Sequence, residues 1–205
     1  MASSTRAFLA LDLPAEARAA AADATARLRR ACGEGDVKWV PPENLHVTLR
    51  FLGSLDPEAL ARARAVVADL DQRFDAVTVG WSRLGAFPSP RRPSVLWLGL
   101  ADGEQRLSHL AREVERRLRA ARFGRADKPF AAHVTIGRVR RGRRLIWPTE
   151  SDRLTTPDGA FSMRAIVLYQ SRLTPAGPHY APLATARARG VSSSPQGNQA
   201  EGEVS

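Results

Sequence analysis

His46-Val47-Thr48-Leu49 and His133-Val134-Thr135-Ile136 are two copies of one tetrad, 87 positions apart in a chain of 205 residues. A strand-like segment, an Ala- and Arg-rich helical segment and a loop precede each copy, from about residue 7 to 52 and from about 95 to 139. Chance readily gives one His-Val-Thr pair in a chain of this length, but not at equivalent places in two similar units. We therefore predict two lobes related by a pseudo-twofold axis, each contributing one tetrad strand.

The repeated elements predict an α+β fold of two pseudo-symmetric lobes. Each lobe has a mainly antiparallel sheet with helices on its outer face, and the lobes flank a central groove that carries the tetrads. We assign residues 1–183 to this single bilobal domain. Residues 184–205 are expected to be a disordered tail, because their Ala-, Arg-, Ser- and Gly-rich sequence cannot bury enough apolar surface. The Pro- and Arg-rich run 87–93 predicts a loop.

Each tetrad strand is predicted to have one polar face, which is not suited to packing in a hydrophobic core. Side chains at alternate positions of a strand point to the same face. In each tetrad the histidine and threonine therefore share one face, and the two aliphatic residues share the other. The pseudo-twofold brings both polar faces to one groove, where four side chains meet: His46, Thr48, His133 and Thr135.

Two arginines follow the tetrads closely. By strict alternation Arg50 shares the face of Thr48. Arg138 lies three positions after Thr135, so it needs a β-bulge or the strand end near Gly137 to reach the groove.

Paired imidazoles suit acid–base catalysis. An unperturbed histidine titrates near ~6.5, so one ring can accept a proton while the other donates one. His46 and His133 are therefore the candidate acid and base, and the residues alone leave the two roles exchangeable. The hydroxyls of Thr48 and Thr135 can donate to phosphate oxygens where negative charge develops.

The charge of the chain favours an anionic partner. The formal net charge is +10, and all 31 basic residues except Lys38 and Lys128 are arginine. Arginine binds phosphate through two parallel hydrogen bonds, and a positive field attracts nucleic acid. A solvated Arg- and Glu-rich surface is the alternative interpretation of this composition.

Several other classes of protein are disfavoured. Cys32 is the only cysteine, so neither an internal disulfide nor a thiolate metal cluster can form within one chain. Neither tetrad contains Asp, Glu or Cys, and we expect no metal and no other cofactor. The longest apolar run is far shorter than the ~20 residues of a membrane-spanning helix, and the N-terminal sequence does not resemble a signal peptide. We expect a cytoplasmic protein with no membrane partner.

The tetrads in their duplicated frame resemble those of the 2H phosphoesterase superfamily. Within it the chain is similar to the bacterial and archaeal RNA 2′,3′-cyclic phosphodiesterases, once called 2′-5′ RNA ligases. With the second tetrad the similarity spans about residues 6 to 183, and four segments carry it: RAFLALDLP (6–14), WVPPENLHVTLRFLG (39–53), 87–100 and SRLTPAGP (171–178). One departure is Ala132 before His133, where many relatives carry proline.

The resemblance implies a metal-independent hydrolase acting on RNA ends with a 2′,3′-cyclic phosphate, which leaves a 2′-phosphomonoester. It also implies a possible reverse reaction, 2′-5′ ligation. By the same resemblance His46 corresponds to the general acid on the leaving oxygen and His133 to the base that activates water. Thr48 and Thr135 correspond to residues that hold phosphate oxygens, and Arg138 to the cation that neutralises them.

Two alternatives stay open. The same basic groove could serve an RNA-binding module without turnover, or a phosphodiesterase could act on small cyclic nucleotides instead of RNA. We expect a monomer in either case.

Overall fold

The computed structural model describes residues 4–32, 35–101, 104–147, 156–174 and 177–191. Along these residues run three α-helices, one short 3₁₀ helix (Pro42–Asn44) and nine strands. The α-helices are α1 (Ala15–Cys32), α2 (Pro57–Leu70) and α3 (Glu104–Ala120). The strands are β1 (Thr5–Asp12), β2 (Val37–Trp39), β3 (His46–Leu55), β4 (Val77–Ser89), β5 (Arg92–Ala101), β6 (His133–Val139), β7 (Ala160–Met163), β8 (Ala165–Thr174) and β9 (Gly177–Arg187).

The strands form one antiparallel sheet in the order β7-β4-β5-β6-β3-β1-β8-β9, with β2 paired to β6 outside this path. The tetrad strands β3 and β6 are neighbours at its centre and pair at Val47 and Val134. Four strands of the main path lie on each side of this junction. The antiparallel pairing and the three α-helices confirm the predicted α+β class. The two lobes join into a single sheet at the middle residues of the tetrads.

The two halves repeat in register as well as in order. Phe8 of β1 lies opposite Phe51 of β3, and Val95 of β5 lies opposite Arg138 of β6. Both members of the second pair are 87 positions beyond those of the first. Each residue on the central strands of one half therefore has an equivalent in the other half.

The helices cover the side of the sheet that carries the aliphatic tetrad residues. Val47 and Val134 belong to the same core cluster as Leu28 of α1, Val67 of α2 and Leu118 of α3. Burial of these side chains stabilises the packing of the helices against one face of the curled sheet. The opposite face, called the concave face below, lines the groove. Within the described residues no helix combines the length and the apolar character that crossing a membrane requires.

The start of α2 shows how local sequence fixes the elements. Asp56 is the N-cap, and its carboxylate accepts a hydrogen bond of 2.7 Å from the backbone NH of Ala59. Pro57 occupies the first turn, where its missing NH has no partner to lose. The helix therefore begins directly after β3 and turns the chain back across the core.

Equivalent β-bulges follow both tetrads. Leu9 pairs with Arg50 and Ala10 with Thr48, so Leu49 is an extra residue on β3. In the other half Leu96 pairs with Gly137 and Trp97 with Thr135, which leaves Ile136 as the extra residue on β6. A bulge reverses the alternation of side chains for the residues that follow it.

Two boundaries predicted from the sequence are wrong. The run 87–93 is not a loop, because β4 continues to Ser89 and β5 starts at Arg92, so the two strands form a tight hairpin. The predicted tail boundary at residue 184 is too early, because β9 continues to Arg187 along the length of β8. Ala186 and Ala188 are fully buried, so two small apolar residues suffice to anchor this segment. Residues 192–205 of the predicted tail lie outside the described residues.

Candidate active site

The polar side chains of both tetrads meet on the concave face. Val47 and Val134 pair with each other and are fully buried on the helix side. Their neighbours His46, Thr48, His133 and Thr135 therefore project from the opposite face, and all four are partly exposed. The predicted groove thus contains two imidazoles and two hydroxyls at the junction of the two halves.

His46 is held by hydrogen bonds at both ring nitrogens. Nδ1 lies 2.7 Å from the carbonyl oxygen of Asn44, and Nε2 lies 3.0 Å from Oγ1 of Thr48. Because a carbonyl only accepts, the Nδ1–H donates to it. Nε2 is then the nitrogen that exchanges a proton, and in the neutral ring it accepts from the Thr48 hydroxyl.

His133 repeats the Nδ1 contact in the other half. Its Nδ1 lies 2.8 Å from the carbonyl oxygen of Ala131, which again stands two residues before the histidine. The Nδ1–H donates to that oxygen, so Nε2 is again the exchangeable nitrogen. Both tetrad strands therefore fix the same tautomer through their own backbone.

Aromatic rings enclose each histidine. The ring centroid of His46 lies 4.9 Å from that of Phe8 and 5.5 Å from that of Tyr180. The centroid of His133 lies 5.1 Å from that of Phe87, whose ring meets it edge-on. Phe87 is the equivalent of Tyr169, because they pair with the equivalent residues Val95 and Phe8.

Burial shifts both imidazoles towards the neutral form. The pKa of His46 is lowered to about 4, and desolvation is the main cause. The Asn44 carbonyl and the Asp12 carboxylate oppose this shift, whereas the positive charges of His133 and Arg18 add to it. Desolvation also lowers the pKa of His133, and Arg138 acts in the same direction. The charge of His133 thus contributes to the lowered pKa of His46 across the junction of the two halves.

This shift predicts an acid-labile fold. The unfolded histidine titrates near ~6.5, so protons bind the unfolded chain more readily, and the stability contributed by neutral His46 is present above that pH and lost as the pH falls towards 4. We expect the free energy of unfolding of the wild type to fall by about 2 to 3 kcal/mol more than that of His46→Gln between pH 6.5 and 4.5. Urea unfolding at both pH values measures this difference. His109→Gln, at an exposed position of α3, should keep the wild-type dependence, and an equally steep fall in His46→Gln would contradict the assignment.

Residues that differ between equivalent positions break the symmetry of the site. Asp12 pairs with His46, whereas Gly99 pairs with His133. The carboxylate of Asp12 accepts a hydrogen bond of 2.7 Å from Nη2 of Arg18 and also raises the pKa of His46. A negative charge therefore stands beside one histidine only.

Arg138 reaches the concave face because of the bulge at Ile136. After that bulge it follows Thr135 on the same face, as the sequence required. The guanidinium is exposed. Burial lowers the pKa of His133 and the charge of Arg138 adds to this shift, whereas burial raises the pKa of Tyr180 and the charge of Arg138 opposes that shift. The structure thus brings Arg138 to the same groove as the four tetrad side chains.

The prediction that Arg50 shares the face of Thr48 is wrong, because a β-bulge lies between these two residues as well. The bulge at Leu49 turns Arg50 away from the concave face and towards α3. There Nε donates to Oε2 of Glu115 over 2.9 Å, and Nη2 donates to the carbonyl of Gly124 over 2.6 Å. The other oxygen of Glu115 accepts from the backbone NH of Ala126 over 3.0 Å. Arg50 therefore ties the first tetrad strand to the segment that leads into the second.

We expect Arg50→Ala to cost about 2 kcal/mol of unfolding free energy, because it leaves the half-buried Glu115 and a carbonyl without their cation. Urea unfolding of the variant measures this cost. Arg73→Ala is the matched control: Arg73 lies just beyond the end of α2 and pairs with Asp69 on the exposed surface, where such pairs are worth about 0.5 kcal/mol or less. Equal losses in the two variants would contradict a structural role for Arg50.

Sequence reasoning missed the residues that position His46. The Asn44 side chain is buried and donates to the carbonyl of Pro178 over 2.8 Å, which joins the turn before β3 to the start of β9. Arg18 donates to the carbonyl of Glu43 over 3.0 Å. These partners are far from His46 or from each other in the sequence, so no local sequence pattern could indicate them.

The remaining histidines lie elsewhere, and both His109 and His179 are exposed. His109 belongs to α3 and His179 to β9. Among the described residues no group of three or more His, Cys, Asp or Glu side chains is placed to hold a metal ion.

Comparisons with known proteins agree with this architecture. A family model described as LigT-like phosphoesterase matches residues 11–97. The RNA 2′,3′-cyclic phosphodiesterase of Archaeoglobus fulgidus is 38% identical over 156 residues, which cover 76% of this chain and 86% of that protein. The protein of the same name from Methanothermobacter thermautotrophicus is 34% identical over 179 residues, which cover 85% and 94% of the two chains. The protein is thus of the phosphoesterase class.

More specifically, the chain belongs to the LigT-like phosphoesterase family, and the resemblance inferred from the tetrads is confirmed. A crystal structure of a Thermus thermophilus protein has a TM-score of 0.74 and 29% sequence identity, and the match covers 90% of this chain and 98% of that one. E. coli LigT in complex with 3′-AMP has a TM-score of 0.70 at 23% identity, over 91% and 99% of the chains. This second likeness concerns the fold alone.

Proposed function

We propose that this protein hydrolyses the 2′,3′-cyclic phosphate ends of RNA to 2′-phosphomonoesters through two-histidine acid–base catalysis. The pairing of Val47 with Val134 carries the proposal, because it presents both histidines and both threonines of the tetrads on one concave face. The names of the relatives from Archaeoglobus and Methanothermobacter, both RNA 2′,3′-cyclic phosphodiesterases, support this substrate.

The reaction uses one proton donor and one acceptor. Nε2 of His133 takes a proton from water as the water oxygen attacks phosphorus. The bond from phosphorus to O3′ breaks, and Nε2 of His46 donates its proton to O3′, so that one water is added and the phosphate stays on O2′. Solvent then restores both protonation states. Positioned acid and base catalysis of this kind is typically worth ~10²–10⁴ in rate for each group.

The charges around the two rings support this assignment of roles. Asp12 stands beside His46 and favours its imidazolium, whereas Arg138 favours the neutral form of His133. Burial opposes protonation of His46 in the free protein. A bound phosphodiester adds a negative charge next to that ring, so binding of the substrate itself promotes the protonated acid.

The hydroxyls and the guanidinium complete the site. Thr48 and Thr135 donate to the non-bridging phosphate oxygens, and Arg138 offsets the charge that these oxygens gain as water adds. The strained five-membered ring of the substrate lowers the barrier, so positioning and charge stabilisation can suffice. The reverse reaction, in which a 5′-hydroxyl takes the place of water and forms a 2′-5′ linkage, uses the same groups.

One catalytic domain is proposed to carry this reaction. It comprises β1 to β9 and extends to Val191, since Val191 still contacts the core. RNA ends are its proposed partner, and the protein is proposed to act as a monomer.

The test is incubation with an RNA oligonucleotide ending in a 2′,3′-cyclic phosphate, in the presence of a metal chelator, with the product compared with 2′- and 3′-phosphate standards. We expect the 2′-phosphate. A 3′-phosphate, or a requirement for metal, would overturn the proposal. Retained RNA binding without product would select the binding module, and activity on cyclic mononucleotides alone would select the small-nucleotide alternative.

A further inference from the structure

A tryptophan lies on the concave face beside His133, where the equivalent position of the first half holds an alanine. Trp97 pairs with the threonine of the second tetrad, and Ala10, 87 positions earlier, pairs with the threonine of the first. The indole of Trp97 extends across β4 and fills the space that a Cβ at Gly85 would occupy. Its ring centroid lies 6.2 Å from that of His133. The bare backbone of a glycine thus admits a large ring on the side of His133.

Phe87 extends this aromatic surface. Its ring centroid lies 5.3 Å from that of Trp97 and 5.1 Å from that of His133, which it meets edge-on. Its strand partner is Val95, which pairs with Arg138, so Phe87 points to the concave face as Trp97 does. Phe87 is 38% exposed, and Trp97 is partly exposed. The two rings form one aromatic surface towards the groove, called the Trp97–Phe87 surface below.

We propose that the Trp97–Phe87 surface binds the first nucleoside of an RNA strand that begins with a 5′-hydroxyl, and so serves the joining of two RNA strands. This inference rests on the proposed function, and within it on the reverse reaction. Exposed aromatic side chains in isolation would carry no such meaning, because single surface hydrophobic residues are common. Their meaning here comes from where the chemistry must place the second strand.

The stereochemistry of joining puts the 5′-hydroxyl strand on the side of His133. Nε2 of His133 takes the proton of the 5′-hydroxyl as O5′ attacks phosphorus, the bond to O3′ breaks, and Nε2 of His46 donates its proton to O3′. The attacking and leaving oxygens of an in-line displacement lie on opposite sides of phosphorus, so O5′ stands where water stands in hydrolysis. The nucleoside that carries O5′ must therefore contact the protein around His133.

Hydrolysis gives this surface nothing to bind. On the side of His133 it requires only a water molecule, and the faces of an indole and a phenyl ring offer that water no strong hydrogen bond. Nε1 of Trp97 is itself buried and has no hydrogen-bond partner within the described part of the chain, so the indole presents its ring and not its NH. Stacking on an aromatic ring tolerates every base, because each base has a π-face, so the surface fits 5′ ends of any sequence.

Joining one cyclic-ended donor RNA to two different acceptor strands tests the subsite. Both acceptors begin with a 5′-hydroxyl, but the first residue carries adenine in one and is abasic in the other. We expect kcat/KM for 2′-5′ joining to be roughly ten- to hundredfold higher with the adenine acceptor, as base–aromatic stacking allows. Trp97→Leu should abolish this preference, and Trp97→Phe should keep most of it. Trp81→Leu is the control, because it removes an indole that packs against Phe161 instead, and it should keep the preference.

Equal rates with the two acceptors in the wild type would overturn the subsite, and so would a preference that Trp97→Leu retains. A protein that hydrolyses the donor but joins neither acceptor would overturn the subsite and leave the proposed hydrolysis standing. Because the preference is a ratio, general damage to the site lowers both rates and leaves it unchanged.

Calorimetric titration tests the same subsite without turnover. The ligands are 2′-5′-linked adenylyl adenosine and the methyl ester of adenosine 2′-phosphate, which lacks the second nucleoside, and His46→Gln protein keeps the dinucleotide intact. Tighter binding of the dinucleotide that an added Trp97→Leu change abolishes supports the subsite even if no cyclic phosphate is hydrolysed, a result that would overturn the proposed reaction alone. Equal affinity for the two ligands, or binding of neither, would overturn the subsite.

Discussion

Replacing either tetrad histidine should lower kcat/KM for a cyclic-ended RNA by about 10²- to 10⁴-fold, because each change removes one proton transfer from the transition state. Glutamine is the substitution of choice, since His46 packs against Phe8 and alanine would leave a gap there. The double variant should lose little more than either single variant, because the two rings act in one step. Steady-state kinetics of His46→Gln, His133→Gln and their combination measure these losses.

The control for this series is His109→Gln, which alters an exposed histidine of α3 and should retain full activity. Circular dichroism at pH 7.5 separates lost chemistry from lost structure. Near-normal turnover by a folded His46→Gln or His133→Gln protein would rule out two-histidine catalysis. A loss caused by unfolding would be visible in the same spectra and would be addressed by His133→Asn, whose smaller side chain still fits the edge of Phe87.

The central geometry of the fold could be predicted because it follows from local alternation. Val47 and Val134 had to enter a core, and this requirement alone placed the histidines and threonines on the other face. The repeat then required the two faces to meet. The pairing of Val47 with Val134 is the physical form of that requirement, since equivalent residues of two related halves meet on the axis that relates them.

The direction of the side chains that follow the tetrads could not be predicted, because a β-bulge depends on the pairing with the neighbouring strand. Nothing in Leu49 or Ile136 marks it as an extra residue, since both are ordinary buried aliphatic side chains. Strict alternation therefore predicted that Arg50 points into the groove, whereas the bulge places Phe51 there instead. The same irregularity was anticipated for Arg138 only because its spacing made a bulge one of two ways to reach the groove.

The different surroundings of His46 and His133 could not be predicted from the sequence either. Asp12 and Gly99 become comparable only when their strand partners are known to be His46 and His133. The β8–β9 hairpin adds a second asymmetry, because Tyr180 reaches His46 from β9. Long-range register, which sets these contacts, has no local signature.

Substrates that differ in their leaving group should separate the roles of the two histidines. A ribose O3′ must be protonated as it leaves, whereas 4-nitrophenolate is stable without a proton. We therefore expect His46→Gln to lose about 10²- to 10⁴-fold with a cyclic-ended RNA but less than about tenfold with a 4-nitrophenyl phosphodiester, because only the first reaction needs the acid. His133→Gln should lose heavily with both substrates, since water must be activated in either case.

Asp12→Asn extends the same test to the charge that distinguishes the halves. Without the carboxylate the imidazolium of His46 is less favoured, so the variant should lose activity with the RNA and lose much less with the nitrophenyl ester. The alkaline limb of the pH–rate profile with the RNA should shift to lower pH than in the wild type. A loss of folded protein would lower the rate without this shift. The opposite pattern, with His133→Gln and not His46→Gln recovered by the nitrophenyl ester, would show that burial outweighs Asp12 and Arg138 and that the two histidines exchange roles.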